Sequence, residues 1–284
     1  MSKIITHPGT AHRDDLLSIS LVLAKDPKVT VIERREPSLT EINDLNIWVL
    51  DVGRILDPKI KAFDHHQREW DECTLSLLLK EWKLWNSAKE SLPWLEPTVF
   101  IDSNGFVDAC KKYNANSKII NKFQTPVEFI FLDMLSQSSI INSTDFLFSA
   151  LKNIGITLLN RINEYEELTS LIEKKGICKK KKGVPIIIFL DAVASRTLNS
   201  VVFRYKAKHF GNIEGGLSII KDDRVENAIR LYRFNNDERV DLSRLSDNFH
   251  VIFLHEKRFL STVDIPNDKN INDFLEQVVE TVIV

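Results

Sequence analysis

The sequence predicts an α/β protein, with a first domain built on a parallel sheet and a smaller mixed α/β domain after it. Three observations predict this. Short apolar or β-branched runs alternate with a helical pattern through the first 66 residues. Three of those runs end in a histidine or a carboxylate, His7, Asp51 and Asp64, and parallel sheets gather function at the carboxyl ends of their strands. The texture then changes from helical to β-rich across "KKGICKKKKGVP", residues 174–185.

Taken in order, Lys3 to Thr6 reads as a strand. Asp14 to Lys25 carries Leu16, Leu17, Ile19, Leu21, Val22 and Leu23 and reads as a largely buried helix. Val29 to Ile32 is β-branched and strand-like; "NIWVLD", Asn46 to Asp51, is a third strand, and Ala62 to His65 ends a fourth. From Thr74 to about Lys175 the pattern is mostly helical: "CTLSLLLKEWKLWNSA" as one helix, then "PVEFIFLDMLSQ", then a long helix that contains Gly155. The lysine-glycine stretch reads as a solvated hinge or loop, which places a domain boundary near Gly183. A catalytic domain with a helical connector is therefore expected over residues 1–175 and a substrate-binding domain over 184–284. A hairpin is expected around Glu256 to Arg258, and "INDFLEQVVETVIV" closes the chain as a helix.

Composition excludes several classes. Of 284 residues, 43% are hydrophobic and 27% charged, as in ordinary globular proteins. The net charge of −2 provides no global basic field for nucleic acid. Cys73, Cys110 and Cys178 show no paired spacing, which argues against a disulfide scaffold or a zinc knuckle. No leader-like opening and no apolar run of about 20 residues is present, so a cytoplasmic protein with no membrane partner is expected.

Four of the seven histidines fall in the first 66 residues, all within the segments that also carry the candidate carboxylates. His7, His12 and Asp14 share a loop and helix start. Asp51 ends a buried apolar strand, where a carboxylate is costly unless it meets a cation or donors. Asp64, His65 and His66 end another. Asp102 in "VFIDSNG" repeats the theme of apolar residues, a carboxylate and a turn. Imidazole and carboxylate without thiolate favour Mn, Fe, Co or Zn. This many ligands suits two divalent cations sharing one carboxylate, with a water between them as nucleophile in phosphoryl displacement. Because side chains alternate along a strand, His65 and His66 are expected to point apart, one toward metal and one toward substrate. Asp15 reads as a helix-start carboxylate facing the dipole, and Trp82, Trp85 and Trp94 as helix packing. Lys179 to Lys182 reads as a solvated loop. Gly215-Gly216 reads as either a phosphate nest or a hairpin turn.

Asp64-His65-His66 resembles the signature of the DHH phosphoesterase superfamily. More closely, "THPGTAHRDDLLS", "DVGRILDPKIKAFDHHQREW" and "IDSNGFVDA" resemble the melanocyte-proliferating-gene family, whose pattern runs T-H-x-G-x-F-H-x-D-[DE], then D-V-G-G-x-Y-D-P…F-D-H-H-Q-R-x-F, then I-D-N-G. The match covers roughly the first 110 residues. Family members are described as metal-dependent 3′–5′ RNA exonucleases. The resemblance implies that His7, His12, Asp14, Asp51, His65 and Asp102 ligate metal, with Asp51 as the bridge. It also implies that Asp64 orients His65 and that His66 faces phosphate, these last two being the catalytic pair outside the ligand set. The chain departs from the pattern at Ala11, which replaces an aromatic residue, at Arg54, which replaces a glycine, and at Ser103. The family's closing glycines are absent from "HVIFLHEKRFLSTV".

The expected function is therefore that of a metal-dependent phosphodiester hydrolase of the DHH type, with two divalent cations, Mn²⁺ first among them. The expected substrate is RNA or a short oligonucleotide, cut from the 3′ end. In the second domain His255 is the expected phosphate contact, ahead of Arg233 and Arg239. Two alternatives stand beside this: a phosphatase or pyrophosphatase acting on a small phosphate ester, and a metal-bound relative without turnover. A homo-oligomer is compatible with the sequence.

Overall fold

The computed structural model describes residues 2–120, 125–211 and 213–284. The chain forms two compact units, the first ending at Asn163 and the second beginning at Glu164.

The first unit is built on β1 (Ser2–Thr6), α1 (Arg13–Lys25), β2 (Val29–Arg34), α2 (Leu39–Ile42), β3 (Ile47–Leu50), β4 (Leu56–Asp57) and β5 (Ala62–Phe63). A helical stretch follows: α3 (Thr74–Glu81), α4 (Trp85–Ser91), α5 (Leu95–Asn104), α6 (Phe106–Lys112), α7 (Ser117–Ile120) and α8 (Pro126–Gln137). Then come β6 (Ile140–Asn142) and the long α9 (Phe146–Lys175), which ends in the second unit.

The six strands lie in the order β4-β5-β3-β1-β2-β6. The four inner strands are parallel, as expected, but β4 and β6 pair antiparallel at the two edges, so the sheet is mixed. The reason at β4 is local. A single 3₁₀ turn, Pro58–Ile60, and a left-handed Lys61 (φ 59°) fold β4 straight back on β5. Both faces of the inner strands are apolar, as in a parallel sheet covered on both sides. Ile4, Trp48, Leu50 and Phe63 pack with α1 and the start of α9, while Ile5, Val49 and Ala62 pack on the other face with Ile42 of α2.

The single helix expected over residues 73–88 is two helices. Lys83 adopts a left-handed conformation (φ 59°), and its N–H is donated to Lys80 O, which ends α3. Trp82, half-buried, packs against the apolar core, edge-on to Trp48 with ring centroids 6.4 Å apart. No glycine or proline announces this break.

The second unit adds β7 (Ile177–Lys181), β8 (Val184–Val193), α10 (Arg196–Phe210), β9 (Leu217–Lys221), β10 (Ala228–Arg233), β11 (Val251–Leu254), β12 (Leu260–Asp264) and α11 (Ile271–Val282). Its sheet order is β11-β12-β10-β9-β8-β7, with only β8 and β9 parallel, joined through α10. Alternation along β8 serves two cores. Ile186 and Ile188 face α11, and Ile187 and Phe189 face α10. The expected hairpin is β11–β12, with Arg258 left-handed in its turn.

The lysine-rich stretch is not a hinge. It is the hairpin β7–β8, and Gly183, the boundary expected from the sequence, is instead the second turn residue after Lys182, both at positive φ. Alternate lysines point to one side, where Lys179 and Lys181 pair with Glu276 and Glu280 of α11. No helix among the described residues is long and apolar enough to cross a membrane.

Gly155 explains itself within the first unit. A Cβ there would lie 1.8 Å from the Ser20 carbonyl oxygen of α1, so α9 and α1 meet backbone to backbone. Gly155→Ala is expected to destabilise the protein by about 1–3 kcal/mol, although alanine is the better helix former. A lowered urea midpoint checks this; an unchanged or raised midpoint contradicts the close contact.

Candidate metal centre

The site begins with strand register. Thr6 pairs with Leu50, and Leu50 pairs with Phe63, so the last residues of β1, β3 and β5 stand side by side. The next residue of each strand is His7, Asp51 or Asp64. Three polar side chains therefore leave the sheet at one level, on strands spaced about 4.8 Å apart. Arg34, the last residue of β2, lies in the same row opposite Thr6.

Helices complete the cluster. The start of α1 brings His12, Asp14 and Asp15, and α5 brings Asp102. Their potential ligand atoms form three sets: His7, His12 and Asp15; Asp14, His65 and Asp102; and Asp51, His65 and His66. Asp51 joins the first two sets. Its Oδ2 lies 3.6 Å from His7 Nε2, and its Oδ1 lies 3.2 Å from His65 Nε2. Each oxygen of one buried carboxylate thus faces a different side. His65 Nε2 is also 3.3 Å from Asp102 Oδ2. On the other side, Asp15 Oδ2 is 2.9 Å from His7 Nε2, while His7 Nδ1 is 2.7 Å from Pro8 O. A carbonyl can only accept, so the Pro8 contact puts a proton on Nδ1 and turns Nε2 toward the cluster.

The carboxylates are held by donors. Thr74 N and Leu75 N, at the start of α3, donate to the two oxygens of Asp14 at 2.9 and 2.7 Å. Asp15 accepts from Thr6 Oγ1 at 3.1 Å and from the His12 N–H at 2.8 Å. Asp64 accepts from the N–H groups of Arg54 (2.7 Å) and His66 (2.9 Å) and from His66 Nδ1 (2.8 Å). Arg34 is buried; its Nη1 holds Gly9 O and Leu135 O at 2.9 and 2.7 Å, tying the 7–12 loop to the end of α8.

Electrostatics show what the cluster lacks. Burial and then the neighbouring Asp14 and Asp15 push Asp51 up to about 9. Burial, Asp14 and Asp51 push Asp102 up to about 8. Burial likewise raises Asp14. Asp15 pulls His7 up to about 9 against its burial. Asp64 is the exception: burial would raise it, but the His66 and Arg54 N–H bonds outweigh burial and keep it below the usual carboxylate range. Acids that hold protons because they are buried, and because they crowd one another, form a site that divalent cations would relieve. Cys73, beside Asp14, is pushed well up by burial, so the donors remain nitrogen and oxygen. That donor set fits Mn, Fe, Co or Zn.

Each expected residue has a definite place. His7, His12, Asp14, Asp51, His65 and Asp102 are brought together. Asp102 does so from helix α5 rather than from a strand end. His65 and His66 do not point apart. β5 ends at Phe63, so strand alternation no longer applies, and both rings turn toward Asp51 Oδ1, at 3.2 and 3.6 Å. Asp64 contacts His66, not His65. Asp15, read as a helix-start acid facing the dipole, is fully buried in the cluster, as one turn of helix directs two adjacent residues to different sides. Arg54 is left-handed (φ 54°), the conformation that the glycine of the family pattern adopts freely.

In the second unit, His255 sits in the β11–β12 turn, where Nδ1 accepts the Lys257 N–H and the ring packs on Phe259. Arg233 is committed to the carbonyls of Val240 and Lys257, and Arg239 to Asp237. Gly215-Gly216 is neither an open phosphate nest nor a hairpin turn. It lies between α10 and β9, and the Asp237 carboxylate already takes the Gly216 N–H at 2.8 Å.

Residues 3–88 match the family model "Uncharacterised protein family (UPF0160)", the MYG1 exonuclease domain. A MYG1 protein of Schizosaccharomyces pombe is 36% identical over 72 residues, 25% of this chain and 21% of its own. MYG1 exonuclease of Homo sapiens is 35% identical over 77 residues, 26% of this chain and 20% of its own. The matches thus span about a fifth of the length of these relatives. Among solved structures, the DHH domain of a member of a ribosomal-protein family aligns over 98% of this chain and 86% of its own, at TM-score 0.36 and 10% identity. RecJ of Thermus thermophilus in complex with Mg²⁺ aligns over 97% and 48%, at TM-score 0.30 and 10% identity. The family match contains every candidate ligand named here except Asp102.

A pH dependence follows. Asp51 and Asp102 hold protons in the folded chain far above 3.8, and His7 holds one above 6.5. The folded state then binds more protons than the unfolded state, so stability falls as pH rises toward 8–9. Chelator-treated protein is expected to lose several degrees of Tm between pH 6 and 9, and saturating Mn²⁺ to flatten that slope. Differential scanning fluorimetry checks it; a rising Tm without metal contradicts it.

Proposed function

We propose that the chain is a metal-dependent phosphodiester hydrolase of the DHH type that shortens RNA or short oligonucleotides from the 3′ end. The observation that supports this most is Asp51, with one oxygen toward the His7 side and the other toward the His65 side. His7, His12 and Asp15 would hold one divalent cation, and Asp14, His65 and Asp102 the other, with Asp51 shared; Mn²⁺ suits these donors. When bound, such a pair supplies a water activated at neutral pH and neutralises charge on phosphate.

The chain's own residues do the rest. Thr74 and Leu75 orient Asp14 with their N–H groups, an outer support whose loss typically weakens a metal site about 10–100-fold. Asp64 holds the proton on His66 Nδ1, leaving Nε2 to meet a phosphate oxygen or the departing oxygen. His66 suits that role because its side chain is 54% exposed, whereas that of His65 is 10% exposed. The MYG1 exonuclease names of the partial relatives favour the same reaction, and the unpaired cysteines keep the cytoplasm as the expected compartment.

One observation favours a smaller substrate. Lys179 and Lys181 are engaged by Glu276 and Glu280, so this basic stretch is not an open track for RNA. A dinucleotide or pyrophosphate is the second reading.

With Mn²⁺ and 5′-labelled RNA, the purified protein is expected to give a ladder shortening from the 3′ end, and EDTA to stop it. Asp51→Asn is expected to reduce the rate by more than about a hundredfold, beyond what an outer partner costs. Hydrolysis of a dinucleotide or pyrophosphate but not of RNA selects the second reading. Undiminished cleavage by the Asp51→Asn, His65→Ala double variant overturns both.

A further inference from the structure

A cleft of about 400 Å³ opens beside the carboxylate cluster, within the first unit. Its lining includes His12 and Asp102, which belong to different ligand sets. It also includes the apolar side chains of Ile101, Phe106, Phe129 and Leu132. Arg13 and Glu128 line it too, and Arg13 forks onto both oxygens of Glu128. The volume lies in the range of small-molecule sites, roughly 300–1,000 Å³, and the lining has their usual character, apolar walls with a few converging polar groups.

Ala11 also lines this cleft. It is only 4% exposed, and its N–H is donated to Ser136 Oγ at 2.9 Å, so its place is fixed. The family pattern has an aromatic residue at this position. Because Ala11 lines the cleft, a larger side chain at this position would take up part of the cleft's volume.

We propose that this cleft receives the nucleobase of the nucleotide whose phosphate lies at the carboxylate cluster, and that Ala11 sets the room available to it. The proposal rests on the phosphodiester hydrolase reading and names a substrate feature that the reading leaves open. Continuity with the cluster selects the occupant: a group in the cleft must be covalently close to whatever touches His12 and Asp102. Phe106 and Phe129 present ring surfaces for stacking, which tolerates any base. The Arg13–Glu128 pair presents donors and acceptors to a base edge without fixing its identity. Ala11 acts as a specificity residue, since it shapes the cleft and carries no reactive group.

The test compares AMP with ribose 5-phosphate, its base-free counterpart, by calorimetry on the Mn²⁺-loaded protein. AMP is expected to bind about tenfold tighter, the size of one stacking contact. In Ala11→Phe that ratio is expected to fall to near one. Phe129→Ala, at a half-exposed helix position that tolerates truncation, is expected to lower it too, and circular dichroism checks the fold of both variants. A ratio near one in the unaltered protein, no binding of AMP, or an undiminished ratio in both variants overturns the proposal. The ratio is read from binding and not from turnover. A tenfold ratio without cleavage of any diester would overturn the hydrolase reading and keep the cleft; RNA cleavage with no ratio would do the reverse.

Discussion

The register of three neighbouring parallel strands governs this molecule. Thr6, Leu50 and Phe63 stand in one row, so the residues after them enter one small volume above the sheet edge. The row is held by apolar packing on both faces, through Ile4, Leu50 and Phe63 on one side and Ile5, Val49 and Ala62 on the other. A slip of one residue in β3 would exchange those faces and carry Asp51 out of line with His7 and Asp64. The left-handed backbone at Asp51 (φ 59°) is a local strain that this packing sustains.

Above the row, two helices begin on the same acids. The first turn of α1 supplies Asp14 and Asp15, and the first N–H groups of α3 are donated to Asp14. Helix N-termini favour negative charge, so Asp14 is stabilised from both sides while still crowded by Asp51 and Asp102. Arg34, buried at the end of β2, adds one positive charge near Asp15, with Nε and Nη2 lacking a protein partner. One arginine and one protonated His7 would not balance these carboxylates if all were ionised, so Asp51 and Asp102 keep protons. A cation pair would let them ionise, which makes it the natural occupant.

Much of this was legible in the residues. Period-2 and period-3.6 patterns gave β1, β2, β3, α1, α8, α9 and α11, and the acids at strand ends marked the centre. What was not legible has physical causes. Asp102 reads as the start of a turn after an apolar run, but Val99 packs among Leu75, Leu79 and Leu95 and the run continues as helix α5 through Asp102. His65 and His66 converge because the chain leaves the sheet at Phe63, and no local signal marks that exit. The role of Asp15 was within reach, since neighbours on a helix diverge by about 100° and so face different sides. The lysine stretch looked solvated because its partners, Glu276 and Glu280, lie about a hundred positions away in sequence.

The most direct measurement is diffraction at the manganese absorption edge from a crystal grown with Mn²⁺. Two anomalous peaks are expected on either side of Asp51, one beside His7, His12 and Asp15, the other beside Asp14, His65 and Asp102. A single peak, or manganese bound only at surface acids away from Asp51, would contradict a centre built on that shared carboxylate.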